Sequence, residues 1–196
     1  MAATGMLWFL WNSELAAQTD VQSQKPLSEV PIKVDETKKK LLINIDSLDH
    51  NIIKKMTMNK IIETYGEDIW QNILRKHLLI EINAIRKNYN LPNLQFNDTL
   101  ITVAQKYSGY CAEYDHLFHY DLENKSRLDR AKEEWYQKEV RENINRSLNI
   151  SLEEMLHEWR MKSTWHKKNI LQGKSECWIG VTQWTNKKIY IVLVSD

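Results

Sequence analysis

Residues 141–171 read RENINRSLNISLEEMLHEWRMKSTWHKKNIL. The stretch has a carboxylate, Glu142, before a short predicted helix and an imidazole, His166, after it. Ser151 and Glu154 form a capping box, because the serine hydroxyl can accept the backbone N–H of the glutamate while the glutamate side chain reaches back. The helix is therefore predicted to begin directly after the serine. An acid and an imidazole on either side of one capped helix belong to a longer series of short motifs in this chain.

Motifs at other positions extend this series in both directions. In chain order it consists of Leu78-Leu79-x-x-Ile82-Asn83, Phe118-His119, Asp129-Arg130, Glu142-Asn143-Ile144, Ser163-x-x-His166 and Ile179-Gly180-Val181. The series resembles the CAP superfamily of cysteine-rich secretory proteins, antigen 5 and pathogenesis-related 1 proteins, and in particular its bacterial extracellular SCP-like branch. Each motif alone is weak, but their common order over about residues 74–196 makes the resemblance specific. It implies an α+β fold, a three-layer α-β-α sandwich with a mostly antiparallel central sheet.

The spacing of apolar residues agrees with this fold class. The predicted helices lie at residues 51–65, at 68–88 and from Asn97 or Asp98 onward. The predicted strands lie at 135–144, 178–184 and 188–194. The last two flank a short turn and predict a β-hairpin.

We predict three segments along the chain: a divergent export signal or anchor at residues 1–20, a linker and N-terminal extension at 21–66, and the CAP domain at 67–196. The apolar run Leu7-Trp8-Phe9-Leu10-Trp11 is short and has no basic residue before it, so a plain N-terminal extension is the alternative. Bacterial members of the family are typically extracytoplasmic. The resemblance therefore implies a secreted or cell-envelope-associated protein.

The composition excludes two classes of protein. Basic and acidic side chains number 27 and 26 and are interspersed, and the formal charge is +1, so no nucleic-acid partner is predicted. Only Cys111 and Cys177 are present, which excludes a disulfide-dense scaffold. At most one bridge can form between them, and two buried free thiols are the alternative that we favour.

The resemblance also implies a central groove, in which the predicted catalytic residues are His119, Glu142, His166 and Ser163. A carboxylate beside an imidazole favours its charged form, and such a cluster can bind a metal, polarise a carbonyl or transfer a proton. His119 and His166 are the predicted metal ligands, and Zn²⁺ is the predicted metal. Catalytic zinc usually has three protein ligands, so two imidazoles predict modest affinity.

Two positions depart from the pattern of the bacterial branch. Ser163 lies four residues after Trp159 instead of three, although its spacing to the following histidine is kept. Glu158 is therefore the alternative companion of that histidine. Arg141 stands where glycine is usual, and we expect it to pair with Glu142 and to weaken that carboxylate as a base.

Three further residues are expected to support the scaffold. Arg130 should anchor the loop after His119 to backbone carbonyls or to an acid. Asn143 and Asn169 should make hydrogen bonds that hold neighbouring segments together.

Three hypotheses for the function follow. In the first, the groove binds a divalent metal or a small ligand outside the cytoplasm; if the protein is an enzyme, the reaction is a weak hydrolysis of an ester or peptide bond, with Glu142 as base. In the second, the groove is a non-catalytic module that binds a lipid, a glycan or a peptide. In the third, the N-terminal segment attaches the domain to a membrane or to the cell envelope, where it mediates adhesion. Fold alone does not decide among them.

Overall fold

A mixed sheet lies at the centre of the fold, in a computed structural model that describes residues 43–67 and 69–196. Within these residues the strands are β1 (Gln95–Phe96), β2 (Arg141–Ser147), β3 (Glu176–Gln183) and β4 (Ile189–Ser195), in the spatial order β1-β3-β4-β2. β4 pairs with β2 and with β3 in antiparallel fashion, and β1 pairs with β3 in parallel. The prediction of a mostly antiparallel sheet is confirmed, with the short β1 making the sheet mixed.

The central strand β4 shows how the sheet separates two hydrophobic cores. Because successive side chains of a strand point to opposite faces, Ile189, Ile191 and Leu193 pack into one core and the residues between them pack into the other. All seven residues of the strand are buried. A strand buried on both faces is the middle layer of a sandwich, so the predicted three-layer architecture is confirmed.

Helices cover both faces of the sheet. The first core contains buried residues of α3 (Trp70–Lys87), α6 (Leu152–His157) and α7 (Thr164–Gln172). The second contains α4 (Asp98–Tyr114) and part of α5 (Arg127–Glu133). Gly180 lies so close to α4 that a Cβ atom there would be 2.0 Å from the carbonyl oxygen of Ala104, so this strand position requires glycine.

Side-chain caps set where these helices begin. Asn97 caps α4 by accepting the N–H of Thr99. The capping box of Ser151 and Glu154 at the start of α6 is confirmed, with reciprocal hydrogen bonds of 3.2 and 2.8 Å. The first predicted strand, residues 135–144, begins too early, since β2 begins only at Arg141.

Residues 43–66 fold as part of the same compact unit, which extends from Ile43 to Asp196. They form two short helices, α1 (His50–Ile53) and α2 (Met58–Tyr65), where the apolar pattern predicted one. The compact unit therefore begins before the boundary predicted at residue 67. The predictions for residues 1–42 lie outside the described part of the chain.

Neither cysteine forms a disulfide. Cys111 lies on α4 and Cys177 on β3, and both are buried free thiols. Burial raises the pKa of each thiol to about 12, so neither is a reactive thiolate near neutral pH. In residues 43–67 and 69–196, no helix is both long enough and apolar enough to cross a bilayer.

Candidate functional site

His119 and Glu142 form a hydrogen-bonded pair. His119 lies in the loop between α4 and α5, and Glu142 is the second residue of β2. The Nδ1–H of the histidine donates to Oε1 of the carboxylate over 2.9 Å. The carboxylate is completely buried, whereas a third of the histidine side chain is exposed. Because Nδ1 is the donor, a neutral His119 carries its lone pair on Nε2.

Arg130, from α5, holds this pair in place. Its guanidinium donates to Oε2 of Glu142 over 2.7 Å, so both carboxylate oxygens are engaged. It also donates to the carbonyl oxygen of Lys125 over 2.8 Å and contacts that of His119 at 3.4 Å. The prediction that Arg130 anchors the loop to carbonyls and to an acid is confirmed. The prediction for Arg141 is wrong, since its nearest carboxylate partner is Glu139 at 3.9 Å.

Tyr107 completes this arrangement, and the motif series gives no sign of it. The guanidinium carbon of Arg130 lies 3.4 Å from the centre of the Tyr107 ring, and the tyrosine hydroxyl donates to the carbonyl oxygen of Phe118. A cation over an aromatic face is stabilised by the ring quadrupole. The only signal in the sequence is the place of Tyr107 on the buried stripe of α4. Burial raises its pKa above the ordinary value, so its hydroxyl is un-ionised at neutral pH.

His166 lies on the first turn of α7. Its side chain is partly buried, and this burial, followed by the nearby charge of His119, lowers its pKa below the ordinary value of 6.5. The imidazole is therefore neutral at neutral pH. Its ring centre lies 6.1 Å from that of the buried Trp159.

Asn143 and Asn169 connect the segments of His166 and Glu142 through hydrogen bonds. The Asn143 amide donates to the carbonyl oxygen of His166 over 3.1 Å. The Asn169 amide donates to the carbonyl oxygen of Glu142 and to the side-chain oxygen of Asn143, both over 2.9 Å. The scaffold roles predicted for both asparagines are confirmed.

Ser163 caps α7. Its hydroxyl accepts the backbone N–H of His166 over 3.2 Å, and the contact involves no atom of the imidazole. The segment just before it, Glu158–Lys162, is a turn of π-helix. Such a turn accommodates one residue more than an α-helix, which accounts for the four-residue spacing from Trp159. Glu158 pairs with Lys162 at 2.9 Å instead of with His166.

The donors in the site do not fit a resident catalytic zinc. His119 and His166 supply two nitrogens, but both oxygens of Glu142 are engaged by His119 and Arg130. Across residues 43–67 and 69–196, no group of three or more histidine, cysteine, aspartate or glutamate side chains is arranged to hold a metal ion. Catalytic zinc usually requires three such ligands. We therefore derive no hydrolytic step through a metal.

A pocket of about 210 Å³ is lined by residues of α4, of α5 and of the loop between them. Tyr107 and Tyr110 form part of its wall, and neither His119 nor His166 lines it. Its cations are already paired, since Lys125 lies 3.0 Å from Glu133. The pocket and the site therefore have Tyr107 and Arg130 in common, although neither histidine lines the pocket.

The comparisons with known proteins agree with the fold. A sequence model of the cysteine-rich secretory protein family, CAP, matches residues 79–185. The chain belongs to the CAP family. The match includes His119, Glu142, Ser163 and His166. No curated protein matches the chain.

Solved structures of bacterial proteins have the same fold as this CAP chain. An outer surface protein from Borrelia burgdorferi is 23% identical with a TM-score of 0.58, over 66% of this chain and 94% of that one. The CAP domain of enterococcal PrgA is 16% identical with a TM-score of 0.53, over 74% and 68%. An extracellular protein from Bacillus anthracis that contains an SCP domain is 20% identical with a TM-score of 0.50, over 66% and 44%. At these identities the likeness concerns the fold alone.

Proposed function

We propose that this CAP protein is a binding protein that works outside the cytoplasm, and that it takes a ligand through the imidazoles of His119 and His166. The observation that carries the proposal is the engagement of both Glu142 oxygens, one by His119 and one by Arg130. A buried carboxylate in this state orients the histidine and has no free oxygen to act as a base on a substrate.

The chemistry of the two imidazoles indicates the class of ligand. The bond to Glu142 leaves the Nε2 lone pair of His119 directed away from the carboxylate, and burial keeps His166 neutral. Nitrogen lone pairs bind divalent cations such as Zn²⁺ or accept hydrogen bonds from hydroxyl and amine groups. A histidine whose other nitrogen donates to a carboxylate is the usual arrangement at metal sites. We therefore assign a weakly held divalent cation as the first ligand, with solvent or a second molecule completing its coordination.

The location outside the cytoplasm is supported by the family and by two proteins of similar structure, an outer surface protein and an extracellular protein. A hydrolase is the weaker alternative. The hydroxyl of Ser163 is engaged in capping α7, so no residue in the site is arranged as an activated nucleophile.

The test is calorimetric titration of the full chain with Zn²⁺ at neutral pH. Saturable one-site binding is expected in the wild type, and His119→Ala and His166→Ala should each abolish it. His157→Ala is the matched control, because His157 is exposed and lies beside acidic residues that could attract zinc nonspecifically. Loss of binding only in the control variant, or no binding by folded wild type, would show that the two imidazoles are not the cation site.

A further inference from the structure

The segment from Trp159 to Lys174 differs in charge from the rest of the chain. It contains five basic residues and no acidic residue, in a protein whose formal charge is only +1. The basic residues are Arg160, Lys162, Lys167, Lys168 and Lys174. A cluster of one sign in an otherwise balanced chain creates a local positive potential.

Most of these cations have no acidic partner. Among the described residues, Lys162 is the single member of the five with a carboxylate within 4 Å, namely Glu158. Two of the others lie over aromatic rings: Lys167 is 5.4 Å from the ring centre of Tyr89, and Lys168 is 5.3 Å from that of Trp165. Within residues 43–67 and 69–196, their charges are therefore not neutralised by a carboxylate.

Large apolar side chains are exposed among these cations. Met161 is 69% exposed on the π-turn, Trp165 is 54% exposed on α7, and Tyr89 is 47% exposed after α3. Each is about half or more exposed among the residues that the structure describes. We give the name α7 face to the exposed or partly exposed apolar and basic side chains on α7, on the π-turn before it and after α3, namely Tyr89, Arg160, Met161, Trp165, Lys167 and Lys168.

We propose that the α7 face binds the surface of an anionic lipid bilayer. Lysine and arginine near a membrane are attracted to anionic headgroups, and tryptophan and tyrosine prefer the interface between headgroups and acyl chains. A soluble polyanion would satisfy the lysines, but it offers no apolar medium for Met161. The exposed methionine and tryptophan therefore favour a bilayer over a free polyanion. The α7 face shares no residue with the imidazole site, so this inference does not rest on the proposed function.

The test is cosedimentation of the full chain with phosphatidylcholine vesicles that contain or lack phosphatidylglycerol. Wild type should bind the anionic vesicles, and added salt should weaken the binding. Neutralising two lysines in Lys167→Gln/Lys168→Gln should weaken it about 30-fold. The matched control is Lys55→Gln/Lys132→Gln, which removes the same charge from exposed positions elsewhere and should bind more tightly than the α7-face variant.

A second variant separates a bilayer from a polyanion. Met161→Ser/Trp165→Ser keeps every charge, so it should bind heparin as the wild type does and bind anionic vesicles more weakly. The proposal is overturned if the wild type does not bind anionic vesicles, or if the two double variants of the α7 face bind them as tightly as the wild type. If both double variants of the α7 face still bind the vesicles, the membrane-binding surface lies in another part of the chain. Zn²⁺ titration of each variant reports separately on the imidazole site.

Discussion

The charge of Glu142 is offset by the guanidinium of Arg130, 2.7 Å away. The glutamate side chain is fully buried and only a tenth of the arginine side chain is exposed. Removing one partner of such a pair leaves an uncompensated buried charge, which costs about 3–5 kcal/mol. Arg130→Met should therefore lower the free energy of unfolding by about this amount, as measured by urea denaturation.

Two further variants test whether the lost charge is the cause. Arg130→Met/Glu142→Gln should recover most of the stability, because glutamine is neutral and can still accept from His119. Lys138→Met breaks an exposed pair with Glu176 of the same 2.7 Å length and should cost about 1 kcal/mol or less. Equal losses in Arg130→Met and Lys138→Met would argue against a buried ion pair at this site.

The partner of Glu142 also shows where sequence adjacency misleads. Arg141 is the neighbour of Glu142 in the chain, but the two are consecutive residues of β2, so their side chains point to opposite faces of the sheet. The true partner is twelve positions earlier, on α5. Its role as a loop anchor was predictable from the family motif. Its bond to Glu142 depends on how α5 packs, which no local pattern encodes.

At the scale of the element, the start of α7 depends on Ser163. Its hydroxyl accepts the N–H of His166, and loss of such a cap usually costs about 1 kcal/mol. Ser163→Ala should therefore lower the free energy of unfolding by about 1 kcal/mol, and Ser163→Asn should restore it, because asparagine caps equally well. Thermal or urea unfolding of the two variants measures the effect.

The same pair of variants tests the predicted catalytic role of Ser163. Any esterase activity of the wild type should persist in Ser163→Asn, because a capping residue is replaceable by asparagine, whereas a nucleophile is not. Ser126→Ala, at the capping box of α5, is the matched control for the loss of a cap away from the site. If Ser163→Ala were as stable as the wild type, the hydroxyl would have to serve another purpose.

Helix caps were the most predictable elements of this fold. The starts of α4 and α6 follow from Asn97 and from the box of Ser151 and Glu154, because the residues involved are close in sequence. The π-turn at Glu158–Lys162 was visible only as an irregular spacing before Ser163. The break between α1 and α2 was missed, because the apolar pattern continues across it although Thr57 caps a new helix there.

At the scale of the whole molecule, residues 43–66 are joined to the rest by apolar and polar contacts. Ile53, Met58 and Ile61 are completely buried in the core beneath α3. Their share in the core could not be predicted from the chain, since it depends on long-range packing and the family motifs begin only later. One of the polar contacts is made by His50 and His77, whose Nδ1 atoms lie 2.8 Å apart.

This contact between His50 and His77 makes the stability of the molecule depend on pH. One proton can lie between the two Nδ1 atoms, and Nε2 of His50 lies 2.7 Å from Glu81, which also contacts Lys54 at 3.4 Å. Nε2 of His77 is buried and has no hydrogen-bond partner in the described part of the chain. Burial first, and then the charges of His50 and Lys76, lowers the pKa of His77 from 6.5 to about 4.

Because the pKa of His77 is lower in the folded protein, the unfolded chain binds a proton that the folded one does not. The contribution of unprotonated His77 to the free energy of unfolding is therefore complete above pH 6.5. It is lost as the pH falls towards about 4, by up to about 3 kcal/mol. Urea unfolding across this range should give a steep loss of stability in the wild type and a shallower one in His77→Leu. Exposed His157 provides the control, and His157→Leu should keep the wild-type slope. His77→Leu should keep a residual slope of the free energy of unfolding against pH, because the pKa of His166 is also lowered. A slope equal to that of the wild type would show that His77 is protonated equally in the folded and unfolded chain.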